Sequence, residues 1–318
     1  MRKLIPYLIG IILAVQATTP PFELSIQFTN GPVSFVWTFL FFGVLSLYFI
    51  FTKANIYLKI IVPYLFLNTF FSRMPHSSMT TFIYIMVGAY FYLLCLECRD
   101  WKPVFKILSC ILLLQSLLLL FRSFGLDKLL NFGDNETICF GSVGNPMQFK
   151  SLVFILIAFL LQSMESIKKY LKWLYIVFIP IFIYIVLIPN FWFHFSYSRV
   201  AVWFETLKLI KQHPFVGWGV GTYKSIFPAI ARGHFEVEGV WQNAHNEPLE
   251  FLFNIGIIGS IPLILYVIYL CKGCRELKLL GTLIIAYTLC LYFPFHQPHT
   301  SLLLIAFVAF REIQIRST

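Results

Sequence analysis

Two residues in this chain have the chemistry of a transfer reaction, and one polar stretch carries both. His245 stands in the run Gln242-Asn-Ala-His245-Asn246-Glu247-Pro-Leu-Glu250. An imidazole titrates near neutral pH, so it can take a proton from a hydroxyl nucleophile. Glu247 or Glu250 could orient that ring or raise its basicity. Arg199 stands in Ser196-Tyr-Ser-Arg199 at the other end of the stretch. Its planar, permanently charged fork matches the oxygens of a phosphate leaving group. Each residue also has a structural reading: a histidine solvating a helix end, and an arginine anchored at a membrane interface.

Between them lies His213-Pro-Phe-Val-Gly217-Trp-Gly219-Val-Gly221. Glycine-rich turns can aim backbone N–H groups at phosphate. No strand-turn-helix context surrounds this one, which excludes a dinucleotide fingerprint, and a tight turn beside Trp218 is the other reading. Ser198 reads as the N-cap of a helix that Pro214 stops. That helix sets Arg199, Trp203, Leu207 and Ile210 on one face, and the last three are expected to be buried.

The elements that must position these residues are written in the composition. Apolar residues make up 59% of the 318 and charged residues 12%, about half of what soluble domains carry. The mean hydropathy is +0.80. The expected fold is all-α: a polytopic membrane helix bundle of about ten spans, one integral domain over residues 1–318 with a helix-containing outer loop at 191–247. The spans are expected at Leu4–Thr18, Val33–Phe51, Ile56–Phe71, Met79–Leu96, Val104–Phe121, Met147–Gln162, Leu171–Pro189, Leu249–Leu270, Leu279–Phe293 and Ser301–Phe310.

Lys and Arg set the orientation. With the N-terminus in the cytoplasm, the inner segments hold Lys53, Lys59, Arg99, Lys102, Lys168, Lys169, Lys272 and Arg275, while the short outer loops hold few basic residues. The same arrangement sets all seven histidines outside. The net charge of +10 is then a topology signal and not a nucleic-acid footprint. Cys95/Cys98, Cys271/Cys274 and His296-Gln-Pro-His299 have metal-like spacing, but cysteines are common in apolar helices and the proline argues against a helical ligand pair.

The ordered set resembles a family. Gly141-x-x-Gly144-Asn145-Pro146 precedes a helix, and Ser-x-x-Arg199 heads an outer helix with Trp203. Then follow His213-Pro-Phe-x-Gly217-x-Gly219-x-Gly221, His245-Asn246-x-x-Leu249-Glu250 and Gly256-x-x-Gly259. This pattern is similar to the O-antigen ligase and polymerase superfamily of membrane glycosyltransferases, best over Ser198–Pro262. The resemblance implies an active site at the periplasmic face of the inner membrane. The donor it implies is a glycan on undecaprenyl pyrophosphate; the acceptor is a sugar hydroxyl, on lipid A core or on another glycan. His245 matches the family's acceptor base and Arg199 its pyrophosphate arginine, and no metal or other cofactor is expected. Candidate substrate-binding residues are Asn145, Gly217, Gly219, Gly221, Asn246 and Glu250. The family's second arginine is missing from Asp134–Phe140, so Arg122, Lys128 and Lys150 are the candidates to replace it. A transporter or flippase of lipid-linked saccharides is the alternative reading. The nearly charge-free spans disfavour it, since transporters commonly carry charge within the membrane.

Overall fold

A computed structural model describes residues 4–18, 31–123, 146–163, 197–230, 243–272, 277–291 and 300–317. Among these there is no strand: the chain is all-helical. The helices are α1 (Ile5–Thr18), α2 (Gly31–Tyr48, continued by a 3₁₀ turn Phe49–Phe51), α3 (Ile56–Phe70), α4 (Pro75–Leu96), α5 (Lys102–Ser123) and α6 (Pro146–Ser163). They are followed by α7 (Tyr197–Gln212), α8 (Tyr223–Ile230), α9 (Glu247–Leu270), α10 (Leu277–Leu291) and α11 (Ser301–Ser317). The expected span at 171–189 lies outside the described residues, as do Asn145, Lys128, Cys274, His296 and His299.

The apolar runs become helices nearly where expected, but span length is another matter. Among the described residues only α4 and α9, of 22 and 24 residues, are both long and apolar enough to cross a membrane, against the expected ten or so. A 24-residue helix is about 36 Å long, and a bilayer core is about 30 Å thick. α1 and α3, of 14 and 15 residues, reach only about 21–23 Å. Apolar composition does not by itself supply length.

The chain divides into two compact units. One comprises Met1–Phe22, Leu94–His194 and Gly273–Thr318. In it α1 packs on α5, and α6 packs on α10 and α11. Its core is aromatic: the rings of Phe105 and Phe310 lie 5.0 Å apart, Trp101 and Phe310 5.1 Å, and Phe105 and Phe159 5.3 Å. Such edge and tilted pairs add attraction beyond the area they bury. Arg311 and Glu312 are buried beside this cluster in sequence, and Glu312 pairs with Arg316 one turn on.

The other unit comprises Glu23–Leu93 and Phe195–Lys272 and carries the residues of interest. α9 is its spine and packs on α3, α7 and α8. The core between them is Val202, Leu209, Ile210, Trp218, Tyr223, Ile226, Phe227, Ala244 and Phe253.

The face α7 buries matches the expected one only in part: Ile210 is buried and Trp203 half-buried, but Leu207 is not. Val202, Thr206 and Leu209 are buried while Leu207 is 41% exposed. Thr206 is tolerated inside because its hydroxyl bonds to the Val202 carbonyl at 2.7 Å and to the Tyr223 hydroxyl at 2.8 Å. With both polar atoms partnered, burial costs little. The helix starts at Tyr197, so Ser198 sits in its first turn and not at the N-cap.

Candidate functional site

The site is built around a break in α9. Gly256 has φ +63, and the helix is interrupted there. A break in an apolar helix frees backbone groups that must find partners. Here they find them in the loop after α7. The Phe253 and Asn254 carbonyls accept from Trp218 N and Gly219 N, both at 2.9 Å. The Ile255 carbonyl accepts from the Tyr64 hydroxyl at 2.8 Å. On the far side, Ile257 N and Ile258 N donate to the Pro214 and Phe215 carbonyls at 2.9 and 3.0 Å.

This interlock explains two of the glycines. A Cβ on Gly217, itself at φ +72, would stand 2.5 Å from the Asn254 carbonyl. A Cβ on Gly256 would meet the Phe215 carbonyl and Gly217 N. Two backbones touch here, so no side chain fits, and both positions need a positive φ that L-residues resist. Asn68 clamps the loop from α3, donating to the Val216 carbonyl at 2.7 Å and accepting from Val220 N at 2.9 Å.

Two of the candidate phosphate-binding amides are therefore engaged within the fold. Gly217 N donates to the His213 carbonyl at 3.1 Å and Gly219 N to Asn254. Ser72 packs against Gly219, and Thr81 against Gly221, whose carbonyl accepts from Ser77 at 3.3 Å. The run serves as the plug of the α9 break.

Asn246 and Glu250 hold the turn that carries His245. Asn246 is the N-cap of α9, and its side chain accepts from Leu249 N at 3.1 Å. Glu250, 2% exposed, accepts from Ala244 N at 3.0 Å. His245 lies between these anchors with φ 51, the one described residue other than glycine at positive φ. A histidine held in that region has been positioned by its surroundings at a cost of about 1–3 kcal/mol. Its ring is half-buried, and Glu247 beside it is fully buried.

Trp203 closes the arrangement. Its indole N–H donates to the Ala244 carbonyl at 2.9 Å, so both backbone groups of the residue before His245 are fixed by side chains. Arg199 lies one turn before Trp203 on α7, about 6 Å along the axis and on the same face, and is half-buried. The two ends of the polar stretch thus come together. Arg122 and Lys150 lie in the other unit, at the end of α5 and the start of α6.

A residue the sequence did not single out for chemistry sits at the far end of α7. Arg73, in the turn between α3 and α4, holds its guanidinium 5.3 Å over the Trp218 ring. His213 meets the same indole edge-on at 4.2 Å. Burial, and secondarily the Arg73 charge, push the His213 pKa below its ordinary value. Burial pushes the Tyr223 phenol up, with the Glu250 carboxylate adding to it against the Thr206 hydrogen bond, so Tyr223 stays protonated. Among the described residues no three His, Cys, Asp or Glu side chains gather as metal ligands would.

No family model, no curated protein and no solved structure matches this chain.

Proposed function

We propose that this chain is a membrane glycosyltransferase of the O-antigen ligase and polymerase type. In this reading it spans the inner membrane about ten times, and it moves a glycan from undecaprenyl pyrophosphate to a sugar hydroxyl at the periplasmic face. The observation that carries the reading is the Trp203–Ala244 hydrogen bond. It sets the start of α7, with Arg199, beside the strained turn that presents His245. A base and a cation separated by a whole loop in sequence are thereby carried on two segments that meet, which supports a displacement at a sugar–pyrophosphate bond.

In the proposed step His245 takes the proton of the acceptor hydroxyl. The oxygen attacks the anomeric carbon, the bond from that carbon to the pyrophosphate oxygen breaks, and the electron pair leaves with the pyrophosphate, whose charge Arg199 stabilises. Asn246 and Glu250 hold the turn in this scheme, and neither needs to touch substrate.

A saccharide transporter is the second reading, and the break in α9 favours it, because transporters bind cargo at broken helices. The break argues less for transport once its partners are counted: the freed groups of Phe253, Asn254, Ile255, Ile257 and Ile258 are all bonded to the protein. Reconstitution with a lipid-pyrophosphate glycan and candidate acceptors separates the readings. Transfer gives a new glycosidic product, in one step for a ligase or as a ladder of lengths for a polymerase. Movement of intact donor across the bilayer, with no product, replaces the proposal with transport.

A further inference from the structure

The cluster at the far end of α7 plays no part in the proposed transfer. Trp218 lies beside Leu209, whose carbonyl accepts its indole N–H at 3.0 Å. Leu209 is ten residues on from Arg199, about 15 Å along the helix. The cluster therefore lies away from Arg199 along the helix.

Its platform is rigid. Besides the bond to Leu209, the indole stacks on Phe253 at 5.9 Å and 15°. Arg73 lies over one part of this platform and His213 against another. Arg73 is exposed, with its guanidinium carbon 5.3 Å from the centre of the Trp218 ring. Among the described residues no carboxylate is paired with it. Lys211 is exposed two residues before His213, while Lys208 is taken up by Glu205. The local charge is positive, and its fork-shaped donor lies over the Trp218 ring.

The rim is apolar. Phe71 is 78% exposed, Phe215 66%, Val216 53% and Met74 38%. These are neighbours in space as well as in sequence: Asn68 bonds the Val216 carbonyl, and Ser72 packs on Gly219. A free anion would satisfy the guanidinium and leave this rim in water. A molecule with one anionic phosphate at the boundary and hydrocarbon beyond it satisfies both. Large apolar side chains around an exposed arginine have the make-up of a surface that sits at the headgroup level of a bilayer.

We infer that the face formed by Arg73, Trp218, His213, Phe71 and Phe215 binds the phosphodiester headgroup of an anionic membrane phospholipid. Arg73 donates its two-pronged hydrogen bonds to the phosphate oxygens, the strong geometry for this pair. Phe71, Phe215 and Val216 lie along the first carbons of the acyl chains. Lipid held there would brace the loop that plugs the α9 break. The inference does not depend on the transfer reaction.

The test uses the full chain purified in a mild detergent and native mass spectrometry with added phosphatidylglycerol. Wild type is expected to retain phosphatidylglycerol, and Arg73→Gln to bind it about tenfold more weakly. Lys272→Gln is the control, because Lys272 also lies over an aromatic ring, Tyr269, at 5.6 Å, but at the other end of α9; its retention should match wild type. Phe215→Ser should weaken retention without altering the charge. Circular dichroism and elution volume confirm that each variant is folded. Equal retention by wild type and Arg73→Gln overturns the proposal. Displacement of the lipid by an equal concentration of inorganic phosphate would show a simple anion site and overturn the lipid assignment.

Discussion

Trp203 donates to the carbonyl of Ala244 across 41 residues of sequence, and Ala244 N is held at the same time by Glu250. His245 follows directly, at a φ that a histidine rarely adopts. The turn is thus specified from two helices at once. Its geometry depends on α7 and α9 keeping their packing.

Trp203→Phe keeps the ring and removes the donor. The expected result is a fall of about tenfold in kcat, with donor affinity nearly unchanged because Arg199 and its helix remain. The melting temperature should fall by only the few degrees that a lost hydrogen bond of about 1 kcal/mol costs. Steady-state kinetics with a titrated donor separate this from a general loss of folding, which would lower both parameters.

Glu250→Gln retains a carbonyl oxygen for Ala244 N and should stay within about threefold of wild-type activity. Glu250→Ala leaves that buried N–H without its partner, costing about 1–3 kcal/mol, and should lose most activity. Equal loss in both variants would mean that the carboxylate charge matters for something other than holding the turn.

Gly256→Ala and Gly217→Ala should each destabilise strongly. The positive φ alone costs about 1–3 kcal/mol, and the new methyl meets backbone that cannot move aside. Thermal unfolding in detergent measures it. A small shift in either variant would remove the interlock from the account.

His213 has a folded pKa below its unfolded one. In that case the unfolded chain binds more protons, so the contribution to stability is present above the ordinary histidine value of about 6.5 and is lost as pH falls through the folded pKa. Burial is the larger cause and the Arg73 charge the smaller. Arg73→Gln should therefore raise the His213 pKa without restoring it to about 6.5. A ring-proton titration by NMR, assigned with His213→Gln, checks both the direction and the incomplete return.

Much of the helical layout was legible in the chain, because apolar runs bounded by charge, proline or glycine read directly as helices. The reach of α9 was also legible: the apolar run expected over Leu249–Leu270 lies within the helix Glu247–Leu270, though the Asn246 cap was not read from the sequence. The break at Gly256 was not, because its cause lies some 40 residues away in Gly217 and Trp218, and no periodicity reports a contact of that range. The same distance hid what the glycine run packs against. Gly217 stands where another backbone occupies the space, and Gly219 and Gly221 stand where the Ser72 and Thr81 side chains do. The shift of α7's buried face from Leu207 to Val202 and Thr206 depends on Tyr223 supplying a hydroxyl, a partner the helix itself does not reveal. Arg73 stands alone in a short turn, and only Trp218 beneath it marks it out.

The central claim is that Arg199 and His245 serve one reaction centre, and a double-mutant cycle on transfer rate tests it most directly. The variants are Arg199→Lys, His245→Ala and the two combined, each shown to be folded and inserted. Arg199→Lys should fail badly, since an ammonium cannot make the two-pronged contact. His245→Ala should lose turnover while donor binding survives. The double variant should be little slower than the worse single one, as expected of groups that act as a unit. Losses that multiply would contradict a shared site, and normal turnover in His245→Ala would end the catalytic reading.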